Sequence, residues 1–335
     1  MPPVPTSAEI AEDATWLVQA LDPASGMTRL VRMDREAYRS ASFLDDRILG
    51  EPREVAVLPW AELAAAVTPN ARTDARWIFH IGHVGSTLVA RMLGELQNVL
   101  SIREPRILRD VAGVSAARRP AFTVALPALF SRTFARNQMA IVKATSFVSE
   151  IAPELVPIGE RTLFMFATPR TYIASILAGE NSVKELAILA PYRAERVADR
   201  ATLRKPLNTA EAAASAWVCE MTALERAAEA MSDRQVQWLD FDRFLRDVPR
   251  ELARAADFFG FDPEPDSIEA IAEGPLMRRY SKALEYDYSP SLRRDLIAEA
   301  DMANREDIDR ALPMLQSAAE SSPLLARALD RAKEP

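Results

Sequence analysis

Two histidines occur in 335 residues, and both fall in one stretch: Trp77-Ile78-Phe79-His80-Ile81-Gly82-His83-Val84-Gly85-Ser86-Thr87-Leu88. The apolar run Trp77 to Ile81 suits a buried strand. Gly82 and Gly85 follow, then Ser86 and Thr87, then apolar residues at helical spacing: Leu88, Val89, Met92, Leu93 and Leu96. Strand, glycine turn and helix start together predict an oxyanion site. Glycines let the backbone approach an anion closely, and the first N–H groups of a helix have no intrahelical partner. The hydroxyls of Ser86 and Thr87 can cap the helix or donate to the same anion, and His83 stands where a cation would help. Against this, His80 reads as a packed, hydrogen-bonded strand end, and the alternative for His83 is a residue that merely fits the turn. A metal centre lacks the cysteine or third histidine needed to complete it.

Glu104 lies in Ser101-Ile102-Arg103-Glu104-Pro105-Arg106. A carboxylate there can accept a proton from a hydroxyl, or form a surface ion pair with Arg103 or Arg106; residue chemistry leaves both readings open. The glycine loop departs from G-x-x-x-x-G-K-[ST], because its spacing is short and its lysine is missing.

The elements that must position these groups alternate. Trp77–Ile81, Val99–Ile102, Met139–Val142 (ending at Lys143), Thr162–Phe166 and Val236–Leu239 read as strands separated by helical stretches. This predicts an α/β fold, a three-layer sandwich with a central parallel sheet. Ligands of such sheets lie beyond the carboxyl ends of the strands. His83, Arg103, Glu104, Lys143 and Arg170 all follow strand ends, so one crevice is expected to gather them. Ala121–Arg136 reads as a helix with a kink or boundary at Pro127. Residues 183–205, rich in Arg, Lys and Glu, read as a solvated helical face. Asn208–Met231 reads as a long helix with capping-box spacing at Asn208 and Glu211. Asp247, Pro249 and Gly260 mark the start and end of another.

Ahead of the loop, Met27–Met33 and Val55–Leu58 read as strands, Trp60–Val67 as a short helix, and Pro69-Asn70-Ala71 as a turn or linker. Beyond Pro263 the chain reads as helical, with breaks at Pro275, Pro290 and Pro313. The expected organisation is a small N-terminal α+β appendage over residues 1–72, the α/β core over 73–275, and a helical C-terminal extension over 276–335 packed on the core. Net charge is −7 and the isoelectric point near 5.2, which argues against bulk attraction to nucleic acid or an anionic membrane. A single cysteine, Cys219, excludes an internal disulfide framework and fits a reducing compartment. The N-terminus has no basic segment followed by an apolar one, and no run approaches the ~18 apolar residues of a membrane span. A cytoplasmic protein is expected.

The loop resembles the 5′-phosphosulfate-binding loop of the sulfotransferases, roughly Pro-[Lys/Arg]-Ser-Gly-Thr-Thr. Gly85, Ser86 and Thr87 fall on its Gly-Thr-Thr, and His83 on its basic residue. Glu104-Pro105-Arg106 is similar to a Glu-Glu-Thr-Arg-like segment of the tyrosylprotein sulfotransferases at the same offset from Gly85. Lys143-Ala144-Thr145 resembles the Lys-x-His of many soluble members, with Thr145 in place of the histidine. Thr168-Pro169-Arg170 with Ser175 resembles the 3′-phosphate segment, roughly Arg-[Asn/Asp]-Pro-[Lys/Arg]-Asp-x-x-x-Ser, with Ala167 in place of the leading arginine. Trp217, the acidic Asp240 and Asp242, and Phe258-Phe259-Gly260 look like the family's late region. Arg278-Arg279-Tyr280-Ser281-Lys282 is a basic cluster near where the family carries Arg-Lys-Gly. The similarity spans about residues 76 to 285.

The resemblance implies an enzyme of the P-loop sulfotransferase type. It would move a sulfuryl group from 3′-phosphoadenosine 5′-phosphosulfate to a hydroxyl of a small molecule or peptide, without a metal. Glu104 would be the base, and Lys143 and His83 would assist at the transferred group. Gly82, His83, Val84, Gly85, Ser86 and Thr87 would hold the 5′ end of the donor, and Arg170 with Ser175 its 3′-phosphate. Two alternatives stand beside it: a phosphotransferase or nucleotide hydrolase on the same scaffold, and a non-catalytic nucleotide-binding module, suggested by Ala167 and Thr145.

Overall fold

The structure, a computed structural model, describes residues 5–67, 71–281 and 287–333. Pro69, Asn70 and Lys282 lie outside these. A five-stranded parallel sheet forms the centre, in the order β5-β6-β4-β7-β8. Its strands are β4 (Arg76–His80), β5 (Val99–Arg103), β6 (Met139–Lys143), β7 (Arg161–Phe166) and β8 (Gln235–Asp240). β4 is buried from Trp77 to His80 because both faces are covered. Aromatic rings pack along it and across to its neighbour: Trp77 stacks on Phe79 within β4 at 5.9 Å, and Phe79 meets Phe164 of β7 edge-on at 5.8 Å. Such pairs add ~0.5–1.5 kcal/mol each beyond area burial.

Strand order decides where a ligand can sit. From β4 the chain runs through α1 (Ser86–Gly94) to the far edge strand β5, whereas β5 to β6, β6 to β7 and β7 to β8 all run the other way. Right-handed crossovers therefore place α1 on one face and the later connections on the opposite face. β4 is flanked by β6 and β7, whose connections leave across the opposite face, so the crevice opens at its carboxyl end.

The later connection carries α2 (Pro169–Leu177), α3 (Glu180–Val197) and α4 (Thr209–Ala230), and after β8 comes α5 (Val248–Phe259), which packs on α1 and β7. Asn208 caps α4 by accepting from the Glu211 N–H at 2.9 Å. Glu211 does not return the bond as a capping box would; its carboxylate takes Arg204 and the Leu207 N–H. Asp247 caps α5, and Gly260 ends it at φ 74°.

The C-terminal extension folds into α6 (Pro290–Ala303), α7 (Arg305–Ala319) and α8 (Pro323–Arg331). α6 packs on α2, and α7 and α8 pack on α4. Pro313 lies inside α7, so it is not the break its type predicts; Pro290 opens α6 instead, where its missing N–H costs nothing. The segment expected as one helix over 121–136 is two short ones, Pro120–Thr123 and Leu126–Phe130.

At the N-terminus, β1 (Trp16–Asp22), β2 (Met27–Arg32) and β3 (Val55–Pro59) form an antiparallel sheet. β1 was not among the expected strands: five consecutive buried residues, Leu17 to Leu21, include the polar Gln19 and hide the alternation. This sheet is bound to the core. The Leu44 N–H donates to Arg103 O, at the end of β5, at 2.7 Å, and the Trp60 indole donates to Ala121 O at 2.8 Å. One apolar cluster runs from Ile10 through the sheet to Leu329. No helix among the described residues is long and apolar enough to cross a membrane.

The charged stretch expected as a solvated face is overturned at three positions. Arg193, Arg196 and Arg200 are buried. Arg193 and Arg196 pair with Glu220 of α4 at 3.3 and 3.0 Å, and Arg196 and Arg200 with Glu150 at 3.0 and 2.7 Å. The carboxylates that compensate them lie far away in sequence, so composition alone reads as solvation.

Candidate active site

Lys143, the last residue of β6, is registered against Ile78 of β4 and Arg103 of β5. Glu104 follows β5 directly with φ 51°, a left-handed conformation that costs a non-glycine residue roughly 1–2 kcal/mol. That turn sends the carboxylate back over β6. The Glu104 N–H donates to Lys143 O at 2.7 Å, Oε1 ion-pairs with Lys143 Nζ, and Oε2 accepts from Thr145 Oγ1 at 3.5 Å. Lys143 is buried and the Glu104 side chain is 13% exposed, so the carboxylate is the more accessible member of the pair.

The ion pairs considered for Glu104 do not form. The buried Arg103 guanidinium donates to the carbonyls of Tyr38 and Ala41, and burial pushes its pKa down to about 9. Arg106 pairs with Asp46 and Asp110. Phe43, from the N-terminal region, lies 5.7 Å from Lys143 Nζ and carries Arg47 on its ring at 3.5 Å.

His80 couples this pair to the glycine loop. Its Nδ1 accepts from the Gly82 N–H at 3.0 Å, and its Nε2 lies 2.9 Å from Ala144 O. A carbonyl only accepts, so Nε2 bears the hydrogen and the ring is the neutral tautomer. Nε2 is 3.9 Å from Glu104 Oε1. As a committed donor, His80 is a tie between strand ends rather than a base, in agreement with the packed reading of its sequence position.

The loop turns through left-handed Gly82, His83 and Gly85, at φ 81°, 55° and 60°. Gly85 is the N-cap ahead of α1, and no side chain among the described residues caps the helix. A Cβ at Gly85 would lie 1.9 Å from Phe241 Cζ, so only glycine fits there. Thr87 is buried, and its Oγ1 has no hydrogen-bond partner among the described residues. Ser86 and Val84 are also buried, and Gly82 backs onto Ser146. The His83 ring meets Tyr172 edge-on at 6.2 Å.

A cleft of about 340 Å³ opens beside the loop, lined by His83, Gly85, Thr87, Ser175, Phe241 and Arg293 among others. Ser175 donates to Tyr172 O at 2.8 Å and so reaches the cleft wall with its hydrogen already committed. Arg170 does not line this cleft. Its guanidinium ion-pairs with Asp309 at 2.8 Å and Asp301 at 2.7 Å, carboxylates of α7 and α6, which raise its pKa above the ordinary value. Asp240, which caps the short helix Phe241–Phe244, is pushed up by burial.

The structure thus gathers Glu104, Lys143, Thr145 and His80 at the ends of β5, β6 and β4, and His83, Gly85, Thr87 and Ser175 around the adjoining cleft. Phe43, Phe241, Tyr288 and Arg293 were not among the expected residues. Phe241 directly follows β8, so its strand-end position was readable. The other three come from outside the α/β core, where spacing carries no signal.

No family model matches the sequence, and no curated protein matches it. Among solved structures, the chain is similar to the sulfotransferase domain from the curacin biosynthetic pathway, with 13% identity and a TM-score of 0.42 over 70% of this chain and 91% of that one. It is similar to the sulfotransferase domain from the Synechococcus PCC 7002 olefin synthase, with 15% identity and a TM-score of 0.38 over 66% and 86%. It is also similar to mouse sulfotransferase SULT7A1 complexed with PAP, with 11% identity and a TM-score of 0.40 over 78% and 89%.

Proposed function

We propose that the protein transfers a sulfuryl group from 3′-phosphoadenosine 5′-phosphosulfate to a hydroxyl of a small molecule or peptide. The observation that carries this reading is the join made by His80. It ties a carboxylate–lysine pair to an uncapped helix start whose Thr87 hydroxyl is buried without a partner among the described residues. A buried hydroxyl left unpaired costs about 1–3 kcal/mol, and an oxyanion of the donor at the helix start suits it.

In this reading Glu104 takes the proton of the acceptor hydroxyl as its oxygen bonds to sulfur and the bond from sulfur to the 5′-phosphate oxygen breaks. Lys143 offsets the charge of the transferred group. The N–H groups of Gly85 to Leu88 and the Thr87 hydroxyl take up the charge that develops on the leaving phosphate, which is where preorganised donors accelerate most. His83, at the cleft wall, assists there.

The test is donor turnover with a sulfur-labelled donor, hydroxyl acceptors and excess chelator. Label should pass to an acceptor, or to water, at a rate the chelator leaves unchanged. Abolition by the chelator, with recovery on adding Mg²⁺, would replace sulfuryl transfer with metal-dependent phosphoryl chemistry.

A further inference from the structure

Three buried polar atoms without a hydrogen-bond partner among the described residues belong to side chains that line the cleft beside the loop: Thr87 Oγ1, Tyr288 Oη and Arg293 Nη2. Few such atoms are left unpaired in a folded chain, and each asks for an explanation. Here they lie on two walls. Thr87 is in the first turn of α1; Tyr288 and Arg293 are at the start of α6, which Ser289 caps. Two helix starts therefore face one cleft, and each brings an unsatisfied donor.

Arg293 is held in place rather than loose. Its Nη1 donates to Asp242 Oδ1 at 2.6 Å, and its guanidinium lies 4.9 Å above the Phe241 ring. Phe241 in turn is pressed on Gly85. Asp242 neutralises one edge of the guanidinium and Phe241 covers a face, while Nη2 keeps a hydrogen-bonding direction that no described residue receives. Burial pushes the Tyr288 phenol up to about 12, so at neutral pH it is a donor. Arg170 is committed to Asp301 and Asp309, and Ala167 has no charge to offer.

We infer that Arg293 and Tyr288 form a second anion subsite that takes a phosphate monoester of the bound nucleotide, opposite the phosphate held by the α1 loop. The inference deepens the proposed function and rests on it for the nucleotide, although the unpaired donors would also suit a plain oxyanion. The subsite takes over a contact for which Arg170 of α2, ion-paired to Asp301 and Asp309 of the C-terminal helices, is not placed. It also gives the C-terminal extension a role, since α6 brings the subsite to the cleft while packing on α2.

Tyr288→Phe is the decisive variant. Tyr288 Oη bonds no group among the described residues, so its removal leaves the ligand-free melting temperature unchanged or slightly raised. Calorimetric titration compares adenosine 3′,5′-bisphosphate with AMP on wild type, Tyr288→Phe and Arg293→Lys. Bisphosphate affinity should fall about tenfold or more in each variant, the loss expected for a charge-assisted bond, while AMP affinity stays within about twofold. Equal losses for both ligands would place these residues on the loop phosphate and overturn the second subsite, as would wild-type bisphosphate affinity in Tyr288→Phe. Inorganic pyrophosphate separates the subsite from the nucleotide reading. If wild type binds neither nucleotide but pyrophosphate raises its melting temperature, and Tyr288→Phe cancels that rise, the anion subsite stands and the nucleotide reading falls. No response of wild type to any of the three ligands overturns both.

Discussion

Glu104 accepts from Thr145, ion-pairs with Lys143 and bonds Lys143 through its own backbone N–H, all from a left-handed residue. Strain of that kind persists only where the surroundings over-determine it, and it concentrates at functional positions. Glu104→Gln keeps the size and much of the hydrogen bonding but cannot take a proton. Donor turnover should fall ~10²–10⁴-fold, the usual contribution of a positioned base, while bisphosphate affinity stays near wild type. Loss of binding as well would make Glu104 a structural anchor for Lys143; retained turnover would put the base elsewhere. The position of Glu104 after a strand was legible from the apolar run Val99–Ile102. Its partner was not, because Lys143 arrives by parallel pairing of β5 with β6 after a 39-residue separation. Local composition offered Arg103 and Arg106 instead, and both are taken up by the N-terminal region, through Tyr38, Ala41 and Asp46.

At the scale of the element, the loop between β4 and α1 is fixed by what presses on it. Gly85 combines φ 60° with Phe241 carbons 1.9–2.4 Å from where a Cβ would stand. Phe241 is itself stacked on Phe244 and covered by Arg293, so it has no easy retreat. Gly85→Ala should lose more than the ~1 kcal/mol of left-handed strain alone and should bind bisphosphate at least tenfold more weakly; denaturant unfolding and titration check the two halves. A variant as stable and as tight as wild type would mean that the loop is pliable. Strand–glycine–helix was readable here because glycine spacing and apolar periodicity are local signals. The ring that makes Gly85 obligatory comes from beyond β8, which no local pattern announces. Asp45 shows the same for the segment beside the site. Burial opposes its ionisation, but Arg47 and Arg109 outweigh that and hold its carboxyl below the ordinary value of 3.8. A lowered pKa stabilises the fold above that value and the stabilisation is lost as pH falls through and below it. Asp45→Asn should therefore be less stable than wild type at pH 7, with the gap closing between about pH 4 and pH 2. A gap that stays constant with pH would show that the ionised form of Asp45 does not matter.

In the whole molecule, one apolar core joins the N-terminal sheet, the parallel sheet and the C-terminal helices, and a buried charge network braces the α3–α4 side. Glu220 is fully buried between Arg193 and Arg196. Removing one partner of such a network strands the others, at ~3–5 kcal/mol, so Glu220→Gln should lower stability by that order in urea unfolding; a loss below ~1 kcal/mol would mean that water reaches the arginines. The alternation of strands and helices made the central sheet legible, whereas the burial of these arginines required knowing that α4 lies beside α3. The central claim is that the loop at the end of β4 binds the phosphate of an adenosine bisphosphate. Calorimetric titration of adenosine 3′,5′-bisphosphate into wild type and Thr87→Val tests it most directly, since Thr87 Oγ1 has no partner among the described residues and valine conserves the shape. Wild type should bind, and Thr87→Val should bind about 1–3 kcal/mol more weakly with an unchanged melting temperature. Equal affinity in the two proteins, or no binding by wild type, would contradict the account.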